Sequence, residues 1–479
     1  MDEALRKAAL TVRDAMPCSV ELPAGAGKTH LIAALAAMSA ELGERILILT
    51  HTNGGVDVLR RRLRQFGVAR NAVRVETIAS WCFDVVRHYP LLSGLTVGSQ
   101  PDWGQSKRYY IGAAEAIQAS AIRRVVQASY DLVIVDEYQD CVIEQHNLIL
   151  ALHESLPVCV FGDPLQSIFD FGDNVTVKWA TDVAATWEAL VLPVRPWRWR
   201  GHHENLGQWL IEIRANLYDG RPIDLATAPL RWRCDAGPMA GVHACFAQPA
   251  GDGPVVAIVQ HPPECADVAS RTKGSFRVME ELEGKFMLKF AAIVDSGDAG
   301  QMAVATLQFA KECISGIASQ LDSVVKGKLA KGQPVVGLRR PGAEEVLRIL
   351  SELLPDPSPA RVREALVAMG ELKGGRLYRR EAWQDVLKAL MIVSVGSELT
   401  VAQAIVSIRN RTRVTGRAQD DRIISRPLLV KGLEYDHAVV LNAARYKATE
   451  LYVALSRSRK SLTVVSTQRY LNPAAPKLA

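Results

Sequence analysis

Two short stretches carry residues able to do phosphate chemistry. Gly25-Ala26-Gly27-Lys28-Thr29-His30 lies between an apolar run and a helical pattern. Its glycines let backbone N–H groups turn inward onto phosphate oxygens, and a helix N-terminus behind them adds its positive dipole end. Lys28 is placed to reach the β- and γ-phosphates, and the Thr29 hydroxyl to hold Mg²⁺. Leu22 stands where such a motif usually begins with glycine. The second stretch is Asp136-Glu137, at the end of the apolar run Leu132-Val133-Ile134-Val135. A buried strand delivers such acids to the sheet edge that carries the phosphate loop. There Asp136 can complete a Mg²⁺ shell, and Glu137 can orient or deprotonate an attacking water.

The surrounding elements must bring these stretches together. Cys18–Leu22, Arg45–Thr50, Asp131–Val135 and Pro157–Phe161 read as strands, and Ile46-Leu47-Ile48-Leu49 suits a strand buried on both faces. Helical patterns run from His30 to Leu42 and from Val56 to Arg64. This alternation predicts a doubly wound α/β domain. Further strands are expected at Val255–Gln260, His437–Leu441 and Leu462–Ser466, and helices between Met302 and Val393, broken near Gly332–Pro334 and Pro355–Pro359.

The chain has 479 residues, 48% hydrophobic and 23% charged, with a net charge of +6. At roughly 100–200 residues per domain this implies about three domains. The composition excludes disordered, collagenous and coiled-coil classes. No run approaches the ~20 apolar residues of a membrane helix, and no apolar signal core follows Met1, so no membrane role and a cytoplasmic location are expected. The eight cysteines lack zinc-like spacing.

Asp136-Glu137-Tyr138-Gln139-Asp140 resembles the DE-x-QD box of the superfamily 1 UvrD/Rep/PcrA-like DNA helicases, and other boxes of that family follow in order. Thr50-His51-Thr52-Asn53 resembles the TxTN segment, and Thr77-Ile78-Ala79-Ser80-Trp81 the next DNA-contacting box. Gly162-Asp163-Pro164-Leu165-Gln166-Ser167-Ile168-Phe169 is similar to GDxxQSIY, with Phe171 at the base-stacking position. Leu192–Trp199 resembles LxxNYR, Lys431-Gly432-Leu433-Glu434-Tyr435 resembles KGLEF, and Tyr452-Val453-Ala454-Leu455-Ser456-Arg457 resembles YVAxTR.

The resemblance implies two RecA-like parallel-sheet motor domains, with a helical insertion in the second, acting on ATP and Mg²⁺. By it, Lys28, Glu137, Gln166, Arg198 and Arg457 are catalytic. Gly25, Ala26, Gly27, Lys28, Thr29, His30, Trp197 and Glu434 hold the nucleotide, and Thr29 and Asp136 hold the metal. Thr52, Asn53, Thr77, Ser80 and Phe171 contact single-stranded DNA. The expected division is 1–200 for the first motor domain, with a small insertion at 86–128, then 201–294 plus 401–479 for the second, and 295–400 for its helical insertion.

Several of these residues have plainer readings. Trp81 and Phe171 suit a core, Trp197 and Trp199 a lobe interface, and Arg60–Arg64 a solvated helix face. Arg195 is an alternative to Arg198. Arg409, Arg411, Arg413 and Arg417 suit either a phosphate backbone or a solvated face. Two departures stand out: no glutamine precedes Gln65 to read adenine, and Ser425–Val430 lacks the family's Thr-x-His-Ser segment. The insertions are short for the family. Size and box order are similar to the helicase-like subunit of the Gabija antiphage system, which is paired with a nuclease.

The expectation is an ATP-dependent 3′→5′ helicase or translocase on single-stranded DNA, in repair or antiphage defence. The alternative is a regulatory DNA-sensing ATPase subunit of a nuclease-containing complex.

Overall fold

The computed structural model describes residues 1–169, 175–234, 237, 239–247, 252–281, 284–296, 298–415 and 421–476, with side chains left undescribed at 412–415. Six parallel strands form the first sheet: β1 (Cys18–Glu21), β2 (Ile46–Thr50), β3 (Val73–Thr77), β4 (Leu132–Val135), β5 (Val158–Gly162) and β6 (Glu188–Ala189). Their order is β3-β2-β4-β5-β1-β6. The central strands β2, β4 and β5 are buried along their whole length, as their unbroken apolar runs require.

Helices cover both faces of this sheet. On one face lie α1 (Glu3–Asp14), α2 (Lys28–Glu41) and α3 (Asn53–Gln65), whose Val12, Leu35 and Leu59 share a core with Val20, Ile48 and Phe161. On the other, α4 (Ile78–His88) and the helices Ser106–Gln118 and Ser120–Ser129 bury Trp81, Tyr109, Ile117 and Val126 against Val133 and Val135. Trp81 is therefore core.

The remaining strands are β7 (Ile223–Asp224), β8 (Arg231–Arg233), β9 (Val255–Ile258), β10 (Arg277–Val278), β11 (Ile314–Ser315), β12 (Arg376–Leu377), β13 (Arg422–Ser425), β14 (Tyr435–Val440), β15 (Ser458–Val465) and β16 (Tyr470–Leu471). Six of them make a second parallel sheet in the order β10-β13-β9-β14-β15-β8. The pairs β7·β16 and β11·β12 are small antiparallel ribbons.

The protein is thus an α/β fold of two parallel sheets. Its helical insertion is visible in the topology: β10 and β13 are neighbours in the second sheet, yet the described chain between them is mainly helical, with β11 and β12 as its only strands. That excursion has its own core, with Phe309 stacked on Phe290 (4.6 Å) and on Trp383 (6.0 Å). Arg379 fastens its ribbon to the sheet through Glu280 at 2.7 Å. Arg409 is buried against Asp385 at 2.9 Å and donates to the Glu281 carbonyl. It is a structural ion pair, neither a solvated face nor a phosphate contact. The side chains of Arg413 and Arg417 lie outside the described residues. Among the described residues, no helix is long and apolar enough to cross a membrane.

Candidate active site

Parallel packing sends the C-terminal ends of β1, β2, β4 and β5 to one edge of the first sheet. The loop after β1 turns through Gly25 (φ 72°) and Gly27 (φ 88°), a left-handed backbone that side chains disfavour. A Cβ on Gly25 would lie 2.5 Å from the Trp199 ring, and one on Gly27 3.1 Å from Trp197. Helix α2 then starts at Lys28 with no side chain capping it. An uncapped helix start behind two glycines fits phosphate oxygens. Thr29 is half-buried in the first turn. The His30 ring packs 5.2 Å from Phe66, so only its backbone belongs to the loop.

Lys28 crosses to the end of β4. Its Nζ stands 3.1 Å from Asp136 Oδ1 and 2.6 Å from Glu137 Oε1. Burial alone would lower the Lys28 pKa, but the two carboxylates overcome it and raise it. Burial raises Asp136. It opposes ionisation of Glu137 too, yet Lys28 and Lys431 hold that carboxylate well below its ordinary range. Glu137 itself sits in left-handed backbone (φ 56°), which turns its side chain off the strand line, and Gln139 Nε2 fixes it at 2.6 Å. At this edge too, burial and then the Lys431 ammonium push the His51 imidazole down to about 4.

The second sheet completes the site. Arg457 follows helix Ala448–Leu455 and is 1% exposed. It donates to the carbonyls of Val453 (2.8 Å) and Leu433 (3.2 Å), to Ser456 Oγ (2.7 Å) and to Gln166 Oε1 (3.1 Å). Among the described residues no carboxylate pairs with it. Burial, then the neighbouring Arg198 charge, pull its pKa down to about 9. Its hydrogen-bond acceptors are all neutral, and Glu434 and Glu137 act on it only from beyond ion-pair distance, which leaves the guanidinium able to take an incoming anion.

The turn Trp197–Trp199 lies over the phosphate loop and ties it to the other sheet. Arg198 N–H donates to the Gly25 carbonyl at 3.1 Å. Its guanidinium donates to the Ser456 carbonyl (2.6 Å) and to Glu434 (2.8 Å). Trp199 is fully buried and donates to the Ser458 carbonyl at 2.7 Å, so it packs the lobe interface. Trp197 is 40% exposed, with Arg195 and Arg200 at 6.0 and 5.2 Å from its ring. These three, with Pro196 and Glu204, line a cavity of about 310 Å³ beside Gly27. Lys431, from the loop before β14, reaches both Asp140 oxygens at 2.6 Å and the Gln166 carbonyl. Burial raises Asp140 to about 6 despite that lysine.

The described residues expected to meet DNA lie at the starts of two helices of the first lobe. Thr52 caps α3 and accepts from Gly55 N–H at 3.0 Å, with Asn53 opening the helix. Thr77 caps α4, with its hydroxyl shared between Ser80 N–H and Ser80 Oγ. Phe171 lies outside the described residues. Arg60 donates to the Val75 carbonyl at 2.8 Å, while Arg61, Arg62 and Arg64 are exposed.

Sequence reasoning missed Arg214. It is buried on helix Glu204–Asp219, bonded to Asp163 (2.7 Å), Tyr452 Oη (3.0 Å) and Glu21. An arginine amid the apolar Leu206, Leu210, Ile213 and Leu217 was the available signal.

Residues 6–172 match the family model described as an AAA domain. That span includes Lys28, Asp136, Glu137 and Gln166 and ends before Trp197, Arg198, Glu434 and Arg457. No curated protein matches the chain. Among solved structures it is similar to the Pif1 helicase from Candida albicans, at 11% identity over 100% of this chain and 97% of that chain, with a TM-score of 0.43. That likeness is too distant to place any residue.

Proposed function

We propose that the protein is an ATP-dependent motor of the superfamily 1 UvrD-like kind, moving 3′→5′ on single-stranded DNA. The observation that carries the reading is a single site assembled by both lobes. Lys28, Asp136, Glu137 and Gln166 come from the first sheet, and Arg457, Glu434 and Lys431 from the second. The AAA-domain match over the first lobe and the ordered boxes support it.

In this reading Gly25, Ala26, Gly27 and the start of α2 cradle the phosphates, and Lys28 leaves its carboxylates for them. Thr29 and Asp136 would hold Mg²⁺, whose charge would offset that of the phosphates. Glu137, which keeps Lys431 as its cationic neighbour when Lys28 moves to the phosphates, takes the proton of the attacking water. Arg457 and Arg198 stabilise the γ-phosphate charge, and Trp197 stacks on the base beside Gly27. The triphosphate draws the lobes together and its loss releases them, which moves the lobes in turn along the strand. By the resemblance, Thr52, Asn53, Thr77, Ser80 and Phe171 are assigned to single-stranded DNA, in a repair or antiphage setting.

A second reading, a regulatory DNA-sensing ATPase subunit beside a nuclease, has one observation in its favour. The helices between α4 and β4 bury Tyr109, Ile117 and Val126 in the first lobe's own core and build no separate arm for splitting a duplex. Strand displacement on a 3′-tailed duplex tests the choice. ATP-driven displacement supports the motor; DNA-stimulated hydrolysis without displacement supports the regulatory subunit.

A further inference from the structure

We propose that Arg214 is a positioning residue for hydrolysis. From the second lobe it fixes Asp163, and through Asp163 the Gln166 amide and the phosphate loop. The proposal rests on the ATPase reading above.

Helix Glu204–Asp219 packs Leu206, Leu210, Ile213 and Leu217 into the core of the second lobe. Arg214 leaves that face and crosses to the first lobe. Its Nη1 meets Asp163 Oδ1 at 2.7 Å and Tyr452 Oη at 3.0 Å, while Nη2 takes Glu21 at the end of β1. Asp163 is fully buried. Its second oxygen accepts from Ala24 N–H and from Gln166 Nε2, both at 2.9 Å. Ala24 N–H also reaches Tyr452 Oη at 3.2 Å. One carboxylate therefore joins the second lobe, the loop that cradles phosphate and the Gln166 side chain.

The consequence falls on the amide. With its NH₂ end committed to Asp163, the Gln166 oxygen must face away, and there it meets Arg457 at 3.1 Å. A flipped amide would place donor against donor on Arg457. Without Arg214, Asp163 loses the partner that holds its first oxygen and is free to turn, and the amide loses its reference. A buried ion pair is by itself a weak stabiliser, since apolar replacements often do as well. The routing of the second Asp163 oxygen to Ala24 of the phosphate loop and to Gln166 is what marks a positioning role. A lysine supplies the charge but not the fork that spans two carboxylates.

The test compares Arg214→Lys, Arg214→Gln and Glu21→Gln in the full chain, reading thermal unfolding, binding of a non-hydrolysable ATP analogue, and ATP turnover. Arg214→Lys should fold, bind the analogue within about threefold of wild type and lose about tenfold in kcat. Arg214→Gln should lose about a hundredfold, the scale of a misplaced reacting group. Glu21→Gln, which spares the Asp163 arm, should stay within about twofold. The proposal is overturned if folded Arg214 variants keep wild-type kcat, or if Glu21→Gln slows turnover as much as Arg214→Gln. If Arg214→Gln does not fold, Arg214→Lys decides; failure of both to fold shows a purely structural residue and overturns the proposal. A wild-type protein that hydrolyses no ATP refutes the ATPase reading itself and takes this role with it.

Discussion

Arg457, carried by the second lobe, donates to Gln166 Oε1 of the first lobe at 3.1 Å, and both side chains are buried. The bond joins the two lobes at the site. It also leaves the guanidinium without a carboxylate partner among the described residues.

Arg457→Ala should spare nucleotide binding and slow hydrolysis by about 10³–10⁵-fold, the range of an arginine that meets the transferring phosphate. Single-turnover ATP hydrolysis beside analogue binding checks this. A rate near wild type would place that arginine elsewhere.

Lys28→Ala and Glu137→Gln should each abolish turnover for different reasons. The first removes the cation that the phosphates displace from Asp136 and Glu137, so analogue binding falls too. The second keeps the shape and removes the base, so binding survives. Steady-state ATPase assays with analogue titrations separate them, and residual turnover in either would refute its role.

Much of this site was legible because its pieces are local. The runs of β2, β4 and β5 are buried throughout and almost entirely apolar, and the loop and the acidic pair follow their strands directly. Edge strands were not legible. β3 alternates as Val73-Arg74-Val75-Glu76-Thr77, and β6, β8 and β10 are two or three residues long, with Arg231-Trp232-Arg233 forming β8. Arg214 was missed because its partners Asp163, Glu21 and Tyr452 lie 51, 193 and 238 positions away. Thr77 and Ser80 show the opposite difficulty. Thr-x-x-Ser at a helix start serves as a cap as readily as a DNA contact, and here the hydroxyls are bonded to each other.

Trp197→Ala should raise the KM for ATP about tenfold with little change in kcat. The ring is exposed beside Gly27 and its loss removes a stacking face worth about 1 kcal/mol or more. An unchanged KM would take Trp197 out of the site.

His51 gives a pH signature. Its folded pKa near 4 lies below the ordinary ~6.5 of the unfolded chain. Between those values the unfolded chain binds a proton that the folded protein refuses, so stability is full above pH ~6.5 and falls as pH drops toward 4. His51→Gln should flatten that decline by on the order of 1–2 kcal/mol in denaturant unfolding at pH 7 and pH 4.5. Parallel curves for the two proteins would show that His51 titrates normally.

The central claim is a motor driven by ATP and engaged by single-stranded DNA. Its most direct test is ATP turnover by the full chain with and without an unstructured oligonucleotide. The account predicts turnover that rises at least about tenfold with DNA and disappears in Lys28→Ala, since lobe closure completes the site. Turnover that ignores DNA at every concentration would contradict it.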